Sequence, residues 1–79
     1  MKAVLYTKPT CPYCIMAKDL LHIKGIEFED HDISKNPGLR KKISDSVGGY
    51  PTVPMIFLDG NFVGGNSELY ALESAGKLG

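Results

Sequence analysis

Two cysteines three residues apart, in Cys11-Pro12-Tyr13-Cys14, sit where a short apolar run hands over to a helix-patterned stretch. Nothing else in the chain restricts its fold as tightly. Residues at i and i+3 of a helix share a face, which brings their Cα atoms to the roughly 5.5 to 6 Å that a disulfide spans. The pair therefore belongs at the first turn of a helix. A bridge across only two intervening residues restrains almost nothing of the unfolded chain, so it would make a poor staple and a good redox switch.

The flanking pattern supplies the rest of the architecture. Ala3-Val4-Leu5-Tyr6 is a continuous apolar run too short for a helix, as expected of a central strand covered on both faces. Thr7 to Thr10 make a polar loop. Pro12 suits a first helical turn, and Met16, Ala17, Leu20, Leu21 and Ile23 follow at helical spacing up to Gly25. Glu27 to Asp32 mixes charges with apolar residues, as an edge strand does. Asn36-Pro37 offers an N-cap and a proline at the first helical position. Leu39, Ile43 and Val47 then recur every four residues, predicting a second helix with these three in the core, ended by Gly48-Gly49. Met55 to Leu58 reads as a buried strand, and Asp59-Gly60 ahead of Asn61-Phe62-Val63 predicts a tight hairpin. After Gly64-Gly65, Asn66 or Ser67 is expected to cap a third helix that turns Leu69, Leu72 and Ala75 inward and stops at Gly76. Tyr6 and Tyr70 are expected in the core, His22 and His31 in solvent.

The order βαβαββα predicts an α/β fold: a four-stranded mixed sheet with three helices, distributed over both faces, and a right-handed first crossover. At 79 residues the chain is expected to form a single domain, 1–79, around one modest core. Nine Lys and Arg balance nine Asp and Glu, so the basic field that draws proteins to nucleic acid is missing. Met1-Lys2 runs into only four apolar residues, and no stretch is long enough to span a bilayer, so no membrane partner and a cytoplasmic location are expected. His22 lies too close to Cys14, and too far from His31, for zinc-finger spacing; no metal is expected.

Cys11 is the expected nucleophile and Cys14 the resolving thiol. Only Cys11 precedes the helical turn whose unpaired N–H groups and macrodipole favour an anionic sulfur. Tyr13, between the cysteines, is placed to touch incoming substrate. The N–H groups at the start of the third helix, at Asn66 and Ser67, form a second place where an anion can bind.

A strand followed by CxxC at a helix start is the mark of a thioredoxin-like redox motif. The chain resembles the glutaredoxins over essentially its whole length. The resemblance is carried by Tyr6-Thr7-Lys8 before Cys11-Pro12-Tyr13-Cys14, then Thr52-Val53-Pro54, Asp59-Gly60, and Gly64-Gly65 leading into the last helix. It implies a thioredoxin fold, glutathione as co-substrate, and glutathionylated or disulfide-bearing proteins as partners of a monomer. It further implies that Lys8 flanks the thiolate, that Val53 pairs its backbone with that of glutathione, and that Pro54 is a cis proline facing the nucleophile. Thr52, Gly65, Asn66 and Ser67 complete the glutathione site on the same basis. Many relatives carry a basic residue just before Thr52, where this chain reads Gly48-Gly49-Tyr50-Pro51; Arg40 and Lys8 are then left to anchor the glycyl carboxylate. Met55 stands where a polar residue is common. Ser67 stands where relatives often have Asp, replacing a charge-assisted contact by a neutral one.

The expected activity is glutathione-dependent reduction of protein-glutathione mixed disulfides and protein disulfides. Two alternatives share the same residues: an electron donor recharged by a thioredoxin reductase, and a scaffold in which Cys11 and glutathione hold an iron-sulfur cluster across a dimer. Pro12 stiffens the turn beside the nucleophile and speaks against the scaffold.

Overall fold

A computed structural model describes residues 1–78. Its elements run β1 (Lys2–Thr7), α1 (Pro12–Ile23), β2 (Glu27–Asp32), α2 (Pro37–Ser46), β3 (Met55–Leu58), β4 (Asn61–Gly64) and α3 (Asn66–Ser74). The strands form one sheet in the order β2-β1-β3-β4. β1 lies parallel to β2, with Tyr6 opposite His31, and antiparallel to β3, with Val4 opposite Phe57. The β3–β4 hairpin turns at Asp59 and Gly60, whose φ angles of 49° and 83° are those a two-residue turn of type I′ requires.

The period of two along a strand sorts the sheet into unlike faces. Ala3 and Leu5 of β1 and Ile56 and Leu58 of β3 point to one side, where Ala17, Leu20 and Leu21 of α1 and Leu69 of α3 cover them. Each fully buried Leu or Ile there is worth about 1.5–3 kcal/mol over an exposed one. The other side carries an aromatic row instead: Tyr6 stacks on His31 at 5.2 Å and meets Phe57 edge-on at 5.9 Å, and Phe57 and Phe62 lie 5.2 Å apart. Tyr6 is consequently half-buried and not a core residue.

Helices α1 and α3 end in the same way. After α1, Gly25 at φ 68° lets Ile26 N donate back to the Leu21 carbonyl at 2.9 Å; after α3, Gly76 at φ 70° lets Lys77 N donate to the Leu72 carbonyl, also at 2.9 Å. This is the turn that glycine makes possible at a helix end, and it returns the chain toward the core. Ile26 and Leu78 are buried as a result.

Several inward expectations fail. Met16 and Ile23 are exposed, because α1 turns only Cys14, Ala17, Leu20 and Leu21 fully to the sheet. Tyr70 is exposed on α3, and Ala75 lies past the last turn, leaving Leu78 to fill the core. α2 buries nothing completely. Its remaining positions are Pro, Gly, Ser or charged, so Leu39, Ile43 and the flanking Val47 end half covered. The cap of α2 is as expected, with Leu39 N donating to Asn36 Oδ1 at 3.1 Å.

Candidate active site

Cys11 ends the loop after β1 in extended conformation and serves as N-cap of α1. Its sulfur accepts a hydrogen bond from Cys14 N at 3.3 Å, which satisfies one of the orphan donors of the first turn. The preceding turn closes through Cys11 N and the Lys8 carbonyl at 3.4 Å, so half-buried Lys8 starts the turn that leads into Cys11. Across from it, the Cys11 thiol faces the Val53 carbonyl at 3.9 Å. The Val53-Pro54 bond is cis, and Pro54 is buried.

The two sulfurs have opposite surroundings. Cys11 is partly open to solvent, whereas Cys14 is fully buried; neither is bridged. Burial pushes the Cys14 thiol up to about 12, with the neighbouring Cys11 adding to the rise and the Lys8 backbone opposing it. One sulfur can meet a substrate and the other is held protonated behind it.

Gly65 lies against the Pro54 carbonyl. A Cβ on Gly65 would stand 3.5 Å from the Pro54 carbonyl, an ordinary contact, but 2.9 Å from the Tyr50 hydroxyl, so any larger residue here would have to displace that hydroxyl. The expected cap is corrected here. Neither Asn66 nor Ser67 caps α3: Gly65 holds the N-cap position, and Glu68 reaches back so that Gly65 N donates to its Oε1 at 3.0 Å. The same oxygen accepts from the Tyr50 hydroxyl at 2.7 Å. These two donors, the Gly65 N–H first, hold the Glu68 carboxyl below the usual range, and the Tyr50 hydroxyl is pushed up by burial and by that carboxylate.

The fold thus brings Cys11, Cys14, Val53, Pro54 and Gly65 together. Tyr13 and Thr52 are exposed nearby in sequence to these residues, and Ser67 is exposed on the first turn of α3. Asn66 Oδ1 is buried there without a hydrogen-bond partner among the described residues. Arg40 points at the loop itself, its Nη2 donating to the Pro51 carbonyl at 3.3 Å. Sequence reasoning passed over the pairing of Tyr50 with Glu68, which are 18 residues apart. A glutamate three residues past the Gly65 cap was the available signal, since that spacing lets it bond the cap N–H; nothing local marks Tyr50.

Among the described residues no three His, Cys, Asp or Glu side chains converge, and no helix is long and apolar enough to cross a membrane.

An α/β sheet with a half-open and a buried cysteine at the start of α1, opposite a cis proline, defines a thiol-disulfide oxidoreductase of the thioredoxin fold. The family model of the glutaredoxins matches residues 3–63. Glutaredoxin 3 of Escherichia coli strain K12 is 45% identical over 74 residues, 94% of this chain and 88% of its own. The solution structure of glutaredoxin from Brucella melitensis superposes with a TM-score of 0.85 at 46% identity, covering 99% of this chain and 84% of that one. A further structure, described as "Metal Binding of Glutaredoxins", is 47% identical with a TM-score of 0.71 over 98% of this chain and 83% of its own. The chain belongs to the glutaredoxin family.

Proposed function

We propose that this glutaredoxin removes glutathione from protein-glutathione mixed disulfides and reduces protein disulfides. The asymmetry of the two sulfurs carries the reading: Cys11 is approachable and Cys14 is buried and protonated. The Cys11 thiolate attacks the glutathione sulfur, the S–S bond breaks, and the substrate thiolate leaves and takes a proton. A second glutathione thiolate then attacks the glutathione sulfur on Cys11, releasing glutathione disulfide and the Cys11 thiolate. With a protein disulfide, Cys14 supplies the second attack, ending as the Cys11–Cys14 disulfide that two glutathiones reduce.

Val53, at the edge opposite Cys11, offers its backbone to the tripeptide, with Thr52 and Pro54 on the same loop. Gly65, Asn66 and Ser67 form the facing wall, and Lys8, Tyr13 and Arg40 border the site. The unpartnered Asn66 Oδ1 leaves an acceptor for a donor of the bound molecule. In this reading the protein acts as a cytoplasmic monomer. The deciding assay is turnover of a small glutathione mixed disulfide with glutathione and its reductase, run beside the same assay with thioredoxin reductase. Activity only in the second would replace glutathione by thioredoxin reductase as the source of electrons.

One other reading, the iron-sulfur scaffold, shares these residues, and a 47% identical structure is described as metal binding. Protein reconstituted anaerobically with iron, sulfide and glutathione is expected to stay a colourless monomer. A brown dimer whose colour is lost in Cys11→Ser would put the scaffold ahead of the reductase.

A further inference from the structure

We infer that Tyr50 is a positioning residue for the glutathionyl group, setting the distance between the loop that carries Val53 and the start of α3. This rests on the glutathione reading above.

The Tyr50 backbone is fixed from the side of α2. Tyr50 N donates to the Ser44 carbonyl at 3.3 Å, the Ser44 hydroxyl donates to the Tyr50 carbonyl, and Arg40 holds the next carbonyl, that of Pro51, at 3.3 Å. Its ring rests edge-on against Phe62 of β4, with centroids 5.1 Å apart. From there the hydroxyl reaches Glu68 Oε1 at 2.7 Å, and the same oxygen holds Gly65 N at 3.0 Å. A continuous run of hydrogen bonds therefore joins α2, the loop before Pro54 and the first turn of α3.

Its two ends bear on the site. Three residues beyond Tyr50, the Val53 carbonyl faces the Cys11 sulfur at 3.9 Å; at the other end stand Gly65 and Asn66. A tripeptide held by both walls at once senses their separation, while an attack on the sulfur alone does not. A hydrogen bond to a charged acceptor is stronger than a neutral one, which suits Glu68 to the task.

Tyr50→Phe keeps the ring against Phe62 and removes only the hydroxyl. We expect KM for a small glutathione mixed disulfide to rise about tenfold, the low end for one net hydrogen bond to a charged acceptor, with kcat within about twofold. Turnover of an aromatic disulfide that contains no glutathione, and alkylation of Cys11 by iodoacetamide, should match wild type. Glu68→Ala removes the acceptor, and Tyr50→Phe added to it should raise KM no further, since both changes cut one link. An unchanged KM in Tyr50→Phe overturns the inference, as does an equal loss on the aromatic disulfide or a multiplication of the two effects. Wild-type protein inactive on the glutathione mixed disulfide overturns the functional reading itself.

Discussion

The burial of Cys14 can be tested by titrating one proton. The folded protein holds the thiol proton up to about 12, against an ordinary value of 9.0, with burial the largest cause and Cys11 the second. At pH 7 the Cys14 thiolate is then about a thousandfold scarcer than that of a free cysteine. In Cys11→Ser, where burial is untouched, iodoacetamide should alkylate Cys14 orders of magnitude more slowly than a small thiol, and the rate should keep rising with pH beyond pH 9. The same proton enters the stability. The unfolded chain releases it near 9.0 and the folded chain near 12, so the stability contributed by the buried thiol is whole below 9.0 and drains as the pH climbs between the two. The slope approaches about 1.4 kcal/mol per pH unit in that window. Urea unfolding of Cys11→Ser and of the same variant with Cys14→Ser added isolates it, because every other alkaline titration is common to both chains. A plateau of the alkylation rate near pH 9, or parallel pH dependence of the two unfolding curves, would refute burial as the controlling cause.

Cys11→Ser should lose both reactions, whereas Cys14→Ser should retain removal of glutathione and lose reduction of protein disulfides, as turnover assays on each substrate will tell. Ser67→Asp places a carboxylate on the exposed first turn of α3, and is expected to lower KM for glutathione about fivefold, near 1 kcal/mol, if that turn faces the ammonium of the γ-glutamyl group. Gly64→Ala should destabilise by about 1–3 kcal/mol in urea unfolding, because Gly64 has φ 124° and its Cβ would fall 2.6 Å from Glu68 Oε1.

The elements whose signals are local were legible in the sequence. Asn36-Pro37, Asp59-Gly60, Gly25 and Gly76 each impose a backbone geometry that no distant contact has to supply, and the boundaries follow them. The cysteine site was legible for the same reason, since it is built on one helical turn. Side-chain facing was less so. Met16, Ile23 and Tyr70 fit a helical stripe, yet a twelve-residue helix over a sheet of short strands covers only part of that stripe. The cap of α3 was misplaced because Asn66 and Ser67 are good capping types, and only the three-dimensional approach of the Tyr50 hydroxyl to Gly65 favours glycine at the position. Tyr50 and Glu68 meet through the fold alone.

Cys11 is the N-cap of α1 and, in the function proposed above, also the nucleophile, a double duty with a redox consequence. In the reduced protein its sulfur accepts the Cys14 N–H; once Cys11 is bonded to another sulfur, that atom is a poorer acceptor and the first turn of the helix loses part of its cap. An oxygen cap is worth about 0.5–2 kcal/mol, and sulfur, a weak acceptor, falls at the low end. Whatever stabilises the dithiol over the disulfide raises the reduction potential, and at about 30 mV per 1.4 kcal/mol the cap amounts to roughly 10 mV. The helix start therefore biases the pair toward accepting electrons, and the energy of folding one helical turn becomes part of the driving force with which this protein oxidises a thiol.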